Sequence, residues 1–263
     1  MNGLLGSSHD PGERDLAEKS ASAMAGDAAT VCAPPRRQFF MTLRDIGMWV
    51  RSARADAAVA EHTAGHGVSH AFEMLYVANP DPYGAIDPRY RYQARKYETL
   101  LSFLPARHYR HILELGCGVG ALCRALAPYA ESVTGLDIAA AAVQRATNLS
   151  QNLSNVAFAL ADVRTFDIAH AAGRRYDLIV IADVLYYALQ QDDTPALEAI
   201  ACRVAACLAP GGLVLLADHY FFGLDAASRR TRAIHGVFRQ ASILHQRAQH
   251  RRCFYLATLL EQK

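Results

Sequence analysis

Gly116, Gly118 and Gly120 stand at every second position, and this spacing is the clearest chemical signal in the sequence. The three glycines follow a short apolar run at 110–115 and precede a helix-like pattern at 121–128. A glycine has no side chain that would keep a ligand away from the backbone, and the first N–H groups of a helix are free to bind one. The pattern therefore predicts a nucleoside cofactor held at a turn between a strand and a helix.

Carboxylates stand at or near the ends of several apolar runs, where they could bind the polar groups of such a cofactor. Glu114 lies two positions before the first glycine of the turn. Asp137 follows the turn by about 20 residues, where a carboxylate can accept hydrogen bonds from both hydroxyls of a ribose; capping of the next helix is the alternative. Asp162 and Asp183 each end a further apolar run, and an aspartate that only forms a turn is the alternative for Asp162.

The elements that must position these residues show an alternation of apolar runs and amphipathic segments. This alternation predicts an α/β fold, with a mostly parallel, seven-stranded, Rossmann-like sheet flanked by helices. The run at 176–183 is apolar on both faces, as expected for a central parallel strand, and the last two strands are expected to form a hairpin at the edge of the sheet. The predicted strands are 110–115, 132–138, 156–160, 176–183, 213–218, 242–250 and 252–260.

The chain before this fold divides into two parts by composition. Residues 1–37 are rich in alanine, glycine and serine and offer too little large apolar surface to offset the entropy of ordering, so we expect a flexible tail that folding does not need. Residues 38–105 are expected to form an N-terminal helical cap, with one helix within 38–60, a proline-rich loop, and a second helix opened by Pro88. The α/β domain is then expected to cover 106–263.

The overall composition argues against several classes of partner and site. The chain has 263 residues and a formal net charge of +2, which gives no electrostatic reason to expect a nucleic acid or a membrane as partner. The arginine-rich helix expected at 226–240 is interpreted as a solvated surface. Six cysteines without a C-x-x-C pair indicate small buried side chains in a reducing compartment, and no metal site is predicted. Because no run is long enough to span a bilayer and no signal-peptide core is present, we expect a cytoplasmic location.

Three motifs resemble those of known families. The sequence Glu-x-Gly-x-Gly-x-Gly at 114–120, placed after a strand, resembles motif I of the class I methyltransferases that use S-adenosylmethionine (SAM). The block Asp-Val-Leu-Tyr-Tyr at 183–187 and the segment 92–97 resemble the NodS-like methyltransferases, bacterial enzymes that N-methylate amino-sugar precursors of signalling molecules. The resemblance covers about residues 72–263 and implies SAM as the cofactor and a small molecule as the acceptor.

The resemblance also implies roles for individual residues. In such enzymes an aspartate at the position of Asp162 holds the exocyclic amine of adenine, and the next residue, here Val163, lies against the ring. Lys96 and Tyr83 are expected to contact the cofactor from the cap; a solvated helix charge is the alternative for Lys96, and Gln93 stands where a glutamate is common in the family. The predicted cofactor-binding residues are Tyr83, Lys96, Glu114, Gly116, Cys117, Gly118, Gly120, Asp137, Ile138, Asp162, Val163 and Asp183.

The acceptor is expected next to the cofactor, beyond the carboxyl ends of the strands. Asp183, Tyr186 and His219 are the candidate catalytic residues, with Tyr187 and Tyr220 beside them. A carboxylate and phenols suit an amine acceptor, whereas an oxygen acceptor needs a stronger base, for which His219 is the candidate. As an alternative, these residues could hold only the cofactor or fill the wall of the pocket.

The predicted function is therefore the transfer of a methyl group from SAM to a small-molecule acceptor, with an amine nitrogen favoured over an oxygen. The absence of an Asn/Asp-Pro-Pro-Tyr tetrad at 183–186 argues against methylation of adenine N6. An NAD(P)-dependent oxidoreductase stays open, because Gly116, Gly118 and Ala121 also fit the dinucleotide fingerprint. A catalytically silent subunit that keeps the fold is the third hypothesis.

Overall fold

A computed structural model describes residues 43–166, 174–189, 193–221, 223, 225–252 and 254–263. The predicted tail, 1–37, and the first residues of the predicted cap lie outside these ranges. Within the described ranges, none of the helices combines the length and the apolar character that crossing a bilayer requires.

One sheet of seven strands forms the centre of the described chain. Its strands are β1 (Tyr109–Leu115), β2 (Ala130–Asp137), β3 (Val156–Leu160), β4 (Tyr176–Ala182), β5 (Leu208–His219), β6 (Leu244–Arg251) and β7 (Tyr255–Gln262). The spatial order is β3-β2-β1-β4-β5-β7-β6, with the first five strands parallel to one another and β7 antiparallel to both β5 and β6. The predicted fold class, an α/β protein with a mostly parallel seven-stranded sheet, is confirmed.

The strand order reverses between β1 and β4, which lie side by side at the centre of the sheet. From β1 the chain continues outward through β2 to β3, whereas β5 lies on the other side of β4. Ile112, Leu113, Leu178 and Ile179 in the two central strands are fully buried, as expected for a parallel sheet covered on both faces. In a sheet of this kind, ligands bind outside the carboxyl ends of the strands at the point of reversal.

Helices cover this sheet and extend over its carboxyl edge. They are α1 (Asp45–His66), α2 (Val68–Ala78), α3 (Tyr92–Phe103), α4 (Ala121–Leu126), α5 (Ala140–Leu149), α6 (Leu185–Ala188), α7 (Thr194–Cys207) and α8 (Ala226–Gln240). The helix α1, which corresponds to the first predicted helix of the cap, packs against α2, which was not predicted, and α2 also contacts α5. There, Oε2 of Glu73 accepts a hydrogen bond from the N–H of Ala141 at 3.1 Å, which ties the N-terminal helices to the helix that follows β2.

The start of α3 differs from the predicted one for an identifiable reason. The helix begins at Tyr92 and not at Pro88, because a side chain from another helix caps it there. Oδ1 of Asp45, in α1, accepts hydrogen bonds from the N–H groups of Arg91 (2.8 Å) and Tyr92 (3.1 Å), which have no partner within α3. A cap supplied from 46 residues away leaves no local signal in the sequence.

The C-terminal hairpin is confirmed, but the expectation of two edge strands is wrong for β7. This strand lies inside the sheet between β5 and β6, and β6 alone forms that edge. All residues of β7 from Tyr255 to Leu260 are buried, as suits a strand with neighbours on both sides, whereas β6 has many exposed positions. The strand β5 is also longer than predicted, because it begins at Leu208, before the Pro-Gly-Gly sequence.

Two side chains depart from the expectations for surface and core. Cys202 in α7 is exposed, whereas Cys117, Cys123 and Cys207 are buried as expected. In the arginine-rich helix α8, Arg230 is half-buried and donates a hydrogen bond to the carbonyl of Leu189, so this face is not wholly solvated.

Candidate functional site

A cavity of about 830 Å³ lies at the carboxyl ends of the parallel strands, beneath α1 and α2. Because about 300 Å³ is enough for one small ligand, this volume leaves room for a second beside it. All predicted site residues line the cavity except Tyr220 and Gly120; at Gly120 a Cβ atom would lie 2.6 Å from Phe158. The predicted residues that line it are Tyr83, Lys96, Glu114, Gly116, Cys117, Gly118, Asp137, Ile138, Asp162, Val163, Asp183, Tyr186 and His219.

The cavity has two sides that differ in composition. The first, here called the glycine side, is lined by 114–118, 136–138 and 161–163, at the ends of β1, β2 and β3. The second, here called the aromatic side, lies at the ends of β4 and β5. Its lining residues include Trp49, Asp56, Tyr92, Asp183, Tyr186, Tyr187, His219 and Phe254.

The glycine turn presents bare backbone to the cavity. Gly116 and Gly118 have φ values of 74° and 51°, a conformation that residues with a side chain rarely adopt. A Cβ atom at Gly116 would lie 2.5 Å from Val184, and one at Gly118 would lie 2.8 Å from the hydroxyl of Tyr76 in α2. Both conformation and space therefore require glycine at these two positions.

Asp137 ends β2 and holds the glycine turn in place. Its Oδ2 accepts a hydrogen bond from the N–H of Gly118 at 2.7 Å, and its Oδ1 accepts one from the N–H of Ala139 at 3.0 Å. Burial raises the pKa of this carboxyl, and these backbone hydrogen bonds act in the opposite direction. Since each carboxylate oxygen has two lone pairs, Asp137 can support the turn and still accept from the hydroxyls of a ribose.

Glu114, at the end of β1, is buried beneath the same turn. Burial raises the pKa of its carboxyl to about 8, and the Cys123 thiol donates a hydrogen bond to its Oε2 at 2.8 Å. The carboxyl is therefore largely protonated at neutral pH. A neutral acid can both donate and accept a hydrogen bond, which suits contact with an uncharged polar group.

Asp162 follows β3 and is paired in a way that the sequence analysis did not foresee. The Nε of Arg164 lies 3.0 Å from Oδ1 and 2.9 Å from Oδ2 of Asp162, and Nη2 also donates to Oδ2. Partial burial raises the pKa of Asp162, but the hydrogen bonds and charge of Arg164 lower it below its usual value overall. Both oxygens are thus engaged, and an adenine amine would have to share them.

Lys96 and Asp183 form an ion pair within the cavity wall. The side chain of Lys96 is 2% exposed, and its Nζ donates to Oδ2 of Asp183. Asp183 has a φ of 55°, the one positive value of a non-glycine residue in the described ranges. Such a conformation costs on the order of 1 kcal/mol, although aspartate adopts it more readily than most residues. Lys96 is therefore a buried partner of Asp183, and its interpretation as a solvated helix charge is wrong.

Asp56 in α1 is a functional candidate that the sequence analysis missed. It lines the aromatic side, and its Oδ1 accepts a hydrogen bond from the hydroxyl of Tyr187 at 2.5 Å. The buried residues of α1 include Met48, Ala55 and Val59, and Asp56 lies next to this apolar stripe. That position is the one signal in the sequence that could have indicated a carboxylate at the cavity.

Aromatic rings from distant segments line the same side of the cavity as Asp56 and Asp183. The Trp49 ring centroid lies 5.7 Å from that of His219 and 5.4 Å from that of Phe254. Tyr187 packs against Tyr186, with centroids 4.3 Å apart. Tyr220, which was expected beside the acceptor, does not line the cavity; it is buried, and the guanidinium of Arg251 lies over its ring.

Comparison with known proteins identifies the family. The family described as Nodulation protein S (NodS) matches residues 75–217, more than half of the chain. Nodulation protein S of Sinorhizobium fredii (strain NBRC 101917 / NGR234) is 30% identical over 192 residues, which cover 69% of this chain and 82% of that protein. The chain belongs to the NodS family. Its predicted resemblance to NodS-like methyltransferases is thereby confirmed.

One solved structure agrees with this chain in fold, and a further relative matches part of its sequence. The N-methyltransferase NodS from Bradyrhizobium japonicum WM9, solved in complex with S-adenosyl-L-homocysteine (SAH), is 24% identical with a TM-score of 0.61, covering 74% of this chain and 98% of that one. A ubiquinone biosynthesis O-methyltransferase of Coxiella burnetii (strain Dugway 5J108-111) is 29% identical over 104 residues, which cover 39% of this chain and 41% of that protein.

The range matched by the NodS family, 75–217, divides the cavity unevenly. It contains the whole of the glycine side and the turn after β4, including Asp183. It does not contain Trp49 and Asp56 of α1, or His219 and Phe254 at the C-terminal side. Much of the aromatic side therefore comes from segments outside the family match.

Proposed function

We propose that this protein transfers the methyl group of SAM to an amine nitrogen of a small-molecule acceptor. As a member of the NodS family it is a SAM-dependent methyltransferase that acts on a small molecule. The oxidoreductase and silent-subunit hypotheses are not favoured by this membership. The choice of nitrogen over oxygen, and the roles of individual residues, are our proposal.

The glycine side has features that fit SAM or its demethylated product SAH. Gly116 and Gly118 have no side chain and line the cavity, so their backbone is exposed to a ligand there. Asp137 stands beside it with lone pairs left over for ribose hydroxyls. Val163 and Ile138 offer apolar surface next to these polar groups.

The observation that carries the choice of nitrogen is the pair of carboxylates, Asp56 and Asp183, on the aromatic side of the same cavity. Negative charge attracts a protonated amine and disfavours the alkoxide or phenolate that methylation of an oxygen requires. Lys96 balances the charge of Asp183, which leaves the charge of Asp56 available to a cation.

Methyl transfer from SAM requires no covalent bond between the protein and the acceptor. SAM supplies a methyl group already activated by a sulfonium charge, and the protein aligns the acceptor lone pair with it and excludes water. We assign orientation of the acceptor nitrogen to Asp183, whose backbone is fixed by a 3.0 Å hydrogen bond from its N–H to the carbonyl of Ala217. Tyr186 and His219 line the space beside it.

The test compares acceptors that differ in one group. The full chain is incubated with methyl-labelled SAM and with D-glucosamine or other primary amines, each paired with its N-acetyl derivative. We expect label on the nitrogen of the free amines and none on the acetylated partners, as read by mass spectrometry with fragmentation. Label on an oxygen, or equal transfer to the acetylated compounds, would refute the assignment of nitrogen.

A further inference from the structure

The buried face of α8 is polar in the half of the helix that lies next to the cavity. Ser228, Thr231 and His235 recur at helical spacing, and their exposed fractions are 0%, 1% and 1%. Near the other end of the helix the buried face is apolar, as at Phe238. Burying polar side chains costs free energy unless they are hydrogen-bonded, so the partners of these three residues show what this half of the helix does.

Two of these residues hold consecutive residues at the end of β5. Nε2 of His235 lies 3.0 Å from Oδ2 of Asp218, which is fully buried. The hydroxyl of Thr231 donates a hydrogen bond to the carbonyl of His219 at 2.6 Å. We call these two contacts the polar seam. They connect one face of α8 to two neighbouring positions of the strand.

The strand end that the polar seam holds extends past its neighbour. The strand β4 ends at Ala182, which pairs with Ala217, whereas β5 continues to His219 with β7 as its partner. His219 lines the cavity from this extension. Ser228 continues the support beyond the strand, because its Oγ accepts a hydrogen bond from the N–H of Phe221 at 2.8 Å. Since β4 no longer holds the extension, its position depends on α8 and β7.

A chain of hydrogen bonds fixes the orientation of the His235 imidazole. Nε2 of Gln249 donates to Oγ1 of Thr258 at 3.0 Å, and this Oγ1 lies 2.8 Å from Nδ1 of His235. With the ring proton assigned to Nε2, the Thr258 hydroxyl donates to Nδ1 and the imidazole donates to Asp218, so each of these hydrogens has an acceptor. The imidazole is therefore held at both of its nitrogens.

Stability alone does not account for the pair of Asp218 and His235. Oδ1 of Asp218 is buried and has no hydrogen-bond partner among the described residues. A buried pair with an unsatisfied oxygen is often no more stable than two apolar side chains of similar volume. Such a pair can instead fix how a helix packs, because its hydrogen bond forms in one arrangement only.

We propose that the polar seam is a positioning device for methyl transfer, with Asp218 and His235 as positioning residues. The seam holds the end of β5 so that the imidazole of His219 faces the acceptor and keeps its place against Trp49, where the ring centroids lie 5.7 Å apart. This inference rests on the proposed function and adds to it two residues that do not line the cavity. Both lie after residues 75–217, the range that the NodS family matches.

The decisive variant removes the pair without leaving one partner alone. Asp218→Val together with His235→Leu replaces the pair by apolar side chains, which should keep Tm within about 3 °C of wild type. With D-glucosamine as the probe acceptor, we expect kcat to fall about 10- to 100-fold, since misalignment loses much of the gain from orientation. The affinity for SAH should not change, because the glycine side lies at the ends of other strands.

Two further variants separate positioning from a general effect on the helix. Ile234→Val removes one methyl group from a buried apolar neighbour of His235 in α8, so it should lower Tm while kcat stays at the wild-type value. His235→Gln keeps a donor and an acceptor in the side chain, and it should recover most of the kcat that the double variant loses. A loss of kcat in Ile234→Val as large as in the double variant would overturn the inference, and so would the same loss in His235→Gln.

The polar seam can also be tested without turnover, because Trp49 is the one tryptophan of the chain and lies against His219. In the presence of SAH and without an acceptor, the fluorescence of His219→Ala gives the reference for a lost imidazole contact. We expect the double variant to shift the emission of Trp49 toward that reference, whereas Ile234→Val should keep the wild-type emission. If the double variant does not fold, Thr258→Val takes its place, since it removes the hydroxyl that holds Nδ1 of His235.

The outcomes distinguish this inference from the proposed function. Wild-type kcat and wild-type emission in the double variant would overturn the inference, whereas a change in both supports it. If the wild-type protein transferred the methyl group to an oxygen instead of the nitrogen, the proposed function would fail. The emission of Trp49 would still decide whether the polar seam positions His219.

Discussion

The two sides of the cavity are built from different materials. The glycine side is centred on the backbone of one turn, 116–118, which is supported by carboxyls at the ends of β1 and β2. The aromatic side consists of side chains from α1, the turn after β4, the end of β5 and the residue before β7. A surface of backbone can change little without loss of the fold, whereas a surface of side chains can change residue by residue. The difference teaches that this protein can alter its acceptor while it keeps its methyl donor.

The largest expected effect is the loss of SAH binding when a substitution disrupts the glycine side. Gly118→Val should weaken SAH binding at least about 100-fold, because a side chain at φ 51° is strained and would meet Tyr76. Isothermal titration calorimetry measures this. Gly236→Ala in α8 is the control, since its Cβ would have nothing nearer than Arg239 at 4.0 Å; SAH affinity should stay unchanged and stability should rise by about 0.5–1 kcal/mol. If Gly118→Val bound SAH with wild-type affinity, the cofactor would have to bind outside the glycine side.

A slightly smaller effect is expected on the aromatic side, in turnover and not in SAH affinity. Asp183→Asn should lower kcat by up to about 100-fold, because a misplaced acceptor loses most of the gain from alignment. His219→Ala should cost less if the acceptor atom is nitrogen. Steady-state kinetics of the two variants with the same amine decide the ranking, and a larger loss at His219 would favour oxygen as the acceptor atom.

Asp137→Ala sharpens the comparison within the glycine side. We expect SAH affinity to fall by roughly 1–3 kcal/mol, since the N–H of Gly118 and the ligand both lose a buried partner. Asp162→Ala is the matched comparison, and it should cost less because Arg164 already occupies that carboxylate. Calorimetry on both variants measures the two losses of SAH affinity. A larger loss in Asp162→Ala would indicate that Asp162 is the main contact of the adenine.

The smallest effect concerns stability and pH. The pKa of Glu114 rises from 4.5 to about 8 on folding, so the folded state binds the proton more tightly and is stabilised at low pH. This stabilisation is complete below pH 4.5 and is lost as the pH rises toward 8. Between pH 6 and pH 7 the free energy of unfolding should fall by about 1 kcal/mol, and Glu114→Gln should abolish that slope in urea unfolding. An identical slope in the variant would show that another group is responsible.

The sequence predicted the fold and the glycine side because their signals are local. Two-sided apolar runs indicate parallel strands, and alternate glycines after a strand indicate a turn open to a ligand. The pairing of Asp162 with Arg164 and the cap that Asp45 gives to α3 depend on side-chain conformation and on tertiary packing, which periodicity does not encode. Asp56 was missed for the same reason: its place in the cavity depends on how α1 lies against the turn after β4 and the end of β5. A single carboxylate in a helix resembles any solvated charge.

The left-handed backbone of Asp183 limits which residues can occupy that position. A φ of 55° is accessible to aspartate, asparagine and glycine at little cost, and β-branched residues are strained there. The ion pair with Lys96 imposes a second, separate filter, since it requires a negative charge. A saturation library at position 183 should therefore separate into three classes: aspartate active, asparagine and glycine folded but slow, and the remaining residues depleted already at the level of folded protein. Almost every substitution at position 183 is therefore expected to cost activity, in contrast to the aromatic residues around it, which can change one by one.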